Sequence, residues 1–272
     1  MRERVSVNRN EPAYAFICDN RISESHAELR ARASMFDDFD GSDAHWGIRD
    51  AIVWGATSNY YGFKSPRKLE FIEVYSEIIK EAARVHDIPI LLLAGVAYIE
   101  FGGMPDIANE IVYTGRMYGI RLPDIHELSS DEDNESLMAR MQGIINRYNR
   151  DIDAPANTSF GNINMQLRRA FETLGYEDPT PEQREEVIRT LQNSVENIFI
   201  AAQHLSDLRN IDLRGIVDSN NFTEDDIILL GARYNIGSTV TLDWIREDTS
   251  RSDVGIRILQ NRDYIMRALE GR

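Results

Sequence analysis

At 272 residues the chain is long enough for one large domain or two small ones, and for a substantial buried core. Its hydrophobic fraction of 42% and charged fraction of 28% are ordinary, but 45 acidic residues against 30 basic ones leave a formal net charge of −15. Such a surface repels nucleic acid and anionic lipid, and the single cysteine, Cys18, excludes an intramolecular disulfide or a cysteine-built metal site.

Residues 1–64 read as a small N-terminal extension. The opening MRERVSVNRNEPAYAF carries charge but no apolar run after it, and no stretch of about 18 apolar residues follows anywhere. The expectation is a protein made in the cytoplasm without a cleaved signal peptide and not inserted in a membrane. Helical fragments around Ser25–Phe36 and Trp46–Thr57 flank the acidic loop Asp37-Asp38-Phe39-Asp40-Gly41-Ser42-Asp43. Its oxygen ligands are out of register for an EF-hand, so it reads as a solvated turn.

Residues 65–272 read as one mainly α-helical domain. Ser65-Pro66 opens a helix with Leu69, Ile72, Tyr75, Ile78, Ile79 and Ala82 on one face, ending near His86-Asp87. The next stretch, Ile88–Gly103, is IPILLLAGVAYIEFGG, with Pro89 suited to a first helical turn and Gly102-Gly103 to a stop. Too short to span a bilayer, it belongs in a core, and its one carboxylate, Glu100, ends it. Desolvation and the negative end of the helix dipole both disfavour the charged form there. A carboxyl group kept protonated near neutral pH is what general-acid catalysis needs; a glutamate that merely marks the end of a buried helix is the plainer reading.

Beyond it, a segment holding Asp106, Glu110, Tyr113 and Tyr118 precedes Glu127–Glu135, which has five acids and no base and reads as a solvated loop. It leads into a helix with apolar positions Leu137, Met141, Ile144, Ile145 and Tyr148. Asp151–Thr158 is a loop by composition. A helix carrying Leu167, Ala170, Phe171 and Leu174 stops at Gly175, and Thr180-Pro181-Glu182-Gln183 caps another that runs to about Gln192. Helices follow through Val195–Leu208, after Thr223, and from Asp253 to Leu269. No run of alternating strands is evident.

Four short patterns stand in order: Tyr98-Ile99-Glu100-Phe101-Gly102-Gly103; Ser159-Phe160-Gly161-Asn162-Ile163-Asn164-Met165-Gln166; Asn197-Ile198 through Leu205; and Ala232-Arg233-Tyr234-Asn235-Ile236-Gly237. Over about residues 67–269 this order resembles the lysozyme-like superfamily, specifically the soluble lytic transglycosylases and goose-type lysozymes that cleave peptidoglycan. The resemblance implies a lysozyme-like helical domain with Glu100 as the catalytic acid. It sets Ser159 and Gly161 on the turn lining the sugar groove, and Tyr234 with Asn235 beside the glutamate. Asn164 falls where the family has glutamine, unless the turn is two residues longer and Gln166 takes that role. Phe101 departs from the small residue common after the glutamate.

The reaction implied is cleavage of the β-1,4 bond between N-acetylmuramic acid and N-acetylglucosamine, a proton passing from Glu100 to the leaving oxygen. A hydrolase needs a second carboxylate, for which Asp106, Glu110 and Asp124 are the candidates. In a lytic transglycosylase the sugar's acetamido group serves instead, and Glu100 then acts as base to close a 1,6-anhydro ring. The five histidines are scattered without ligand spacing, so no metal or other cofactor is expected. Peptidoglycan glycan strands are the expected partner, in the periplasm or cell wall after export by a specialised route, as for an antibacterial effector with a cognate immunity or inhibitor protein. A catalytically silent glycan-binding or protein-interaction module is the alternative.

Overall fold

The computed structural model describes residues 25–41, 44, 61–102, 105–122, 145–146, 148–213, 222–237 and 240–271. Expected features at Trp46–Thr57, Glu127–Glu135, Leu137, Met141 and Ile144, together with Asp124, lie outside these residues. The architecture is mainly α-helical, as expected.

The chain enters through α1 (His26–Ala33), closed at its start by a capping box between Ser25 and Glu28. Its buried face, Leu29 and Ala33, belongs to the same core as the rest of the chain. His26 adds polar anchors, one ring nitrogen 3.0 Å from the Tyr176 hydroxyl and the other 3.0 Å from Thr190 Oγ1. The described part of the extension is thus packed onto the main domain.

The helix expected to open at Ser65-Pro66 begins earlier and is interrupted. It forms α2 (Tyr61–Val74), with Pro66 inside it, and α3 (Ser76–Val85). Between them Tyr75 sits at φ −91° and ψ 13°, off the helical value. After a tight link comes α4 (Ile90–Glu100), whose residues Leu91 to Tyr98 are all buried. A helix apolar on every side has no solvent face, so it must lie in the centre of the fold. Next is α5 (Asp106–Met117).

One two-stranded hairpin interrupts the helical pattern, where only a turn was expected. β1 (Ser159–Phe160) pairs antiparallel with β2 (Met165–Gln166), Ser159 opposite Gln166 and Phe160 opposite Met165. Strands of two residues are too short to display alternation, so the sequence could not announce them.

The chain continues as α6 (Leu167–Leu174), α7 (Pro181–Gln192) with its Thr180–Gln183 capping box, and α8 (Ser194–Asp212). Every residue of α8 from Asn197 to Ser206 is buried, and α1, α3, α6 and α7 pack around it. Then come α9 (Glu224–Ile236), the unanticipated short α10 (Leu242–Arg246), α11 (Asp253–Gln260) and α12 (Arg262–Leu269).

The last two were expected as one helix. They part at Asn261, whose side-chain amide donates to the Arg257 carbonyl at 2.8 Å and competes with the backbone ladder. Helices α9 and α11 cross closely at Gly231 and Gly255: a Cβ on Gly231 would lie 2.8 Å from the Gly255 Cα, nearer than any side chain tolerates. This close crossing fixes the rotation of α9, and with it the direction of Tyr234.

Candidate functional site

Glu100 is the last residue of α4 and is half-buried. The next residue turns away from it: Phe101 is 2% exposed and stacks on Phe71 with ring centroids 4.7 Å apart. The large residue at this position therefore fills the core.

The helix dipole does not act on Glu100 unopposed. Lys68, on α2 and itself 7% exposed, donates its ammonium group to the carbonyl oxygens of Tyr98 at 2.6 Å and Ile99 at 2.7 Å. A cation on the last carbonyls offsets the negative end of the helix. From the sequence only Glu100 is visible at that end, because Lys68 lies about 30 residues away.

Tyr234, on α9, is 8% exposed. Its hydroxyl has no hydrogen-bond partner among the described residues. Burial holds this phenol well above its ordinary pKa, the charge of Glu100 pushes it further up, and Arg169 works against both. Tyr234 is therefore a neutral, protonated donor within the electrostatic reach of Glu100. Its ring meets that of His204 edge-on at 5.6 Å, and His204 Nδ1 lies 3.0 Å from Thr173 Oγ1. Asn235 is exposed at the end of the same helix.

The segment after Tyr234 is held by Arg233, which bridges Asp212 through Nε at 2.6 Å and Nη2 at 3.0 Å. It also donates to the carbonyls of Gly237 and Val240. Arg233 and Asp212 are almost fully buried as a pair.

The hairpin turn between β1 and β2 is built from backbone requirements. Gly161 has φ +75°, and a Cβ there would collide with the Leu191 carbonyl oxygen, so only glycine fits. Asn164 also sits in the left-handed region, at φ +51°, which asparagine tolerates better than most residues. Its backbone N–H donates to the Gly161 carbonyl at 2.9 Å. From α8 the buried Asn197 accepts the Ile163 amide at 2.9 Å, which accounts for an asparagine at that landmark. Gln166 stands across from Ser159, and its Oε1 accepts from Arg168 at 3.0 Å.

Two paths link this turn to Glu100. Asp106, six residues beyond it at the start of α5, accepts the Gly161 amide at 2.9 Å. From β2 the chain passes directly into α6, where Arg169 feels Tyr234 and pairs with Glu172 at 3.2 Å. Glu110 points elsewhere: it is exposed and accepts from Gln192 Nε2 at 2.6 Å. The sequence reading missed Lys68, Arg169 and Glu172. For the last two a signal existed, since they sit three residues apart on a helix otherwise read for its apolar face.

Among the described residues no group of histidine, cysteine or acidic side chains could hold a metal ion, and no helix is long and apolar enough to cross a membrane. No protein-family model, no curated protein and no solved structure matches the chain.

Proposed function

We propose that the protein is a peptidoglycan-cleaving glycosidase acting on the β-1,4 bond between N-acetylmuramic acid and N-acetylglucosamine, with Glu100 as its general acid. The observation that carries this reading is a half-buried carboxylate ending a buried helix, in electrostatic contact with a buried phenol that stays protonated. A carboxyl group and a neutral phenol within electrostatic reach of each other are groups that bond protonation can use.

Protonated Glu100 gives its proton to the leaving oxygen as positive charge grows at the anomeric carbon. Of the candidate second carboxylates, Asp106 is committed to the Gly161 amide and Glu110 to Gln192. Each contact uses one oxygen only, and Asp124 lies outside the described residues, so both routes stay open: water directed by a second carboxylate, or the sugar's own acetamido group with Glu100 then accepting a proton as the 1,6-anhydro ring closes. In either scheme Tyr234, whose hydroxyl is buried, does not reach the sugar, and its neutral O–H steadies the Glu100 carboxylate from the core side once the proton has left. Ser159 and Gln166, facing each other across the hairpin, contact the glycan. Acting outside the cytoplasm as an exported antibacterial effector, such an acidic enzyme would be matched by an immunity protein with a basic face.

The test is direct. Wild type and Glu100→Gln are incubated with purified sacculi, and the released muropeptides are separated and weighed by mass spectrometry. Products from wild type alone are expected, anhydro-ended by the acetamido route and reducing by the water route; equal release by the two proteins sinks the proposal.

A further inference from the structure

The helix that ends in Glu100 carries a buried cation at its last turn. Lys68 reaches from α2, 7% exposed, and holds its ammonium group 2.6 Å from the Tyr98 carbonyl oxygen and 2.7 Å from that of Ile99. The same nitrogen lies 5.3 Å from the centre of the Tyr98 ring, a further electron-rich group. An ammonium ion is costly to bury unless protein dipoles replace its water, and the end of a helix supplies them. Glu100 follows Ile99 by one peptide bond, so the cation sits at the junction that carries the carboxyl group.

Partial burial and the negative helix end both favour the neutral form of a carboxyl group at this place. Lys68 opposes the two together: it neutralises the helix end, and it adds positive charge where desolvation strengthens charge interactions. Beside it on α2, Arg67 pairs with Glu70 at 2.7 Å. From α9 comes the neutral phenol of Tyr234, with Arg169 of α6 and the ring of His204 of α8 acting on it in turn. Asn261, between α11 and α12, accepts from the Tyr98 hydroxyl at 3.4 Å and brings no charge.

We propose that Lys68 is a positioning residue for the acid: its charge at the end of α4 lowers the proton affinity of the Glu100 carboxyl and so sets the pH range over which that group can give a proton. The consequence for cleavage rests on the glycosidase reading above; the coupling between the two side chains does not. A proton donor works best when its affinity lies near the working pH.

Two replacements of Lys68 test this. Lys68→Gln keeps an N–H donor for the carbonyls and removes the charge, whereas Lys68→Arg keeps both. The Glu100 carboxyl carbon is followed by NMR from acid to neutral pH, with Glu100→Gln to assign its signal. Its midpoint should rise by about one pH unit in Lys68→Gln and hold within a few tenths in Lys68→Arg. An unmoved midpoint in Lys68→Gln, or an equal shift in both variants, overturns the proposal. If Lys68→Gln does not fold, the coupling is read from its other side. By linkage, Glu100→Gln should lower the titration midpoint of Lys68, followed at its Cε, by about the same amount, and no change there overturns the proposal equally. On sacculi the basic limb of the cleavage profile should move up with the carboxyl midpoint. A limb that stays in place while the midpoint moves sinks Glu100 as the proton donor and leaves the coupling standing.

Discussion

The ammonium group of Lys68 sits on the carbonyl oxygens of Tyr98 and Ile99, the two residues that precede Glu100. A buried cation thus closes the helix that ends in the proposed catalytic acid. Charge-assisted bonds of this kind are worth more than neutral ones, and removing the donor leaves two carbonyls without their partner. Lys68→Met should lower stability by about 2 to 3 kcal/mol in urea unfolding. Hydrogen exchange should show the last turn of α4 opening before the rest of the helix.

Tyr234→Phe separates stability from activity. The hydroxyl makes no hydrogen bond among the described residues, so its removal should change unfolding free energy by less than about 1 kcal/mol. Sacculus cleavage should nevertheless fall on the order of 100-fold. A large loss of stability with unchanged cleavage would mark the phenol as a packing residue.

The hairpin turn predicts opposite outcomes at two positions with the same backbone hand. Gly161→Ala places a Cβ against the Leu191 carbonyl at φ +75° and should cost at least about 2 kcal/mol, read as a lowered melting temperature. Asn164→Gly keeps the left-handed turn and removes only the amide side chain, so stability should hold. If Gln166 rather than Asn164 touches the sugar, cleavage survives Asn164→Gly and falls in Gln166→Ala.

Acid should loosen the fold through His86. Burial, with Arg32 nearby, lowers its pKa to about 4 from 6.5, against the opposing pull of a hydrogen bond with Gln203. Its ring also meets Phe199 at 6.3 Å. A depressed folded-state pKa means the unfolded chain binds the proton more readily between the two values. The stabilisation is full above pH 6.5 and is lost as pH falls towards about 4. At about 1.4 kcal/mol per pH unit, the loss is roughly 3 kcal/mol. His26, lowered by burial in the same way, adds to it. Urea midpoints measured across this range should flatten in His86→Gln.

The signals that were legible in the sequence are local ones. Thr180 with Gln183, and Thr223 with Asp226, close their helices by contacts three residues apart, and α4 declares its burial through an unbroken apolar run. Glu100 was visible because it ends that run. The break at Tyr75 depends on backbone angles rather than residue type, and the hairpin strands are too short for a period to appear. Lys68 stayed hidden because its partners are backbone carbonyls about 30 residues away, where no side-chain pattern marks them. Arg169 lies on a helix legible only by its apolar positions, yet it is buried and acts electrostatically on Tyr234.

The stacking of Phe101 on Phe71 changes what variation at the position after the acid means. The two rings occupy one shared volume, so a smaller residue at either place leaves a void that the other must fill. Substitutions at 101 and 71 should be tolerated as compensating pairs and rejected singly. A selection for folding, with no glycan present, would recover that covariation.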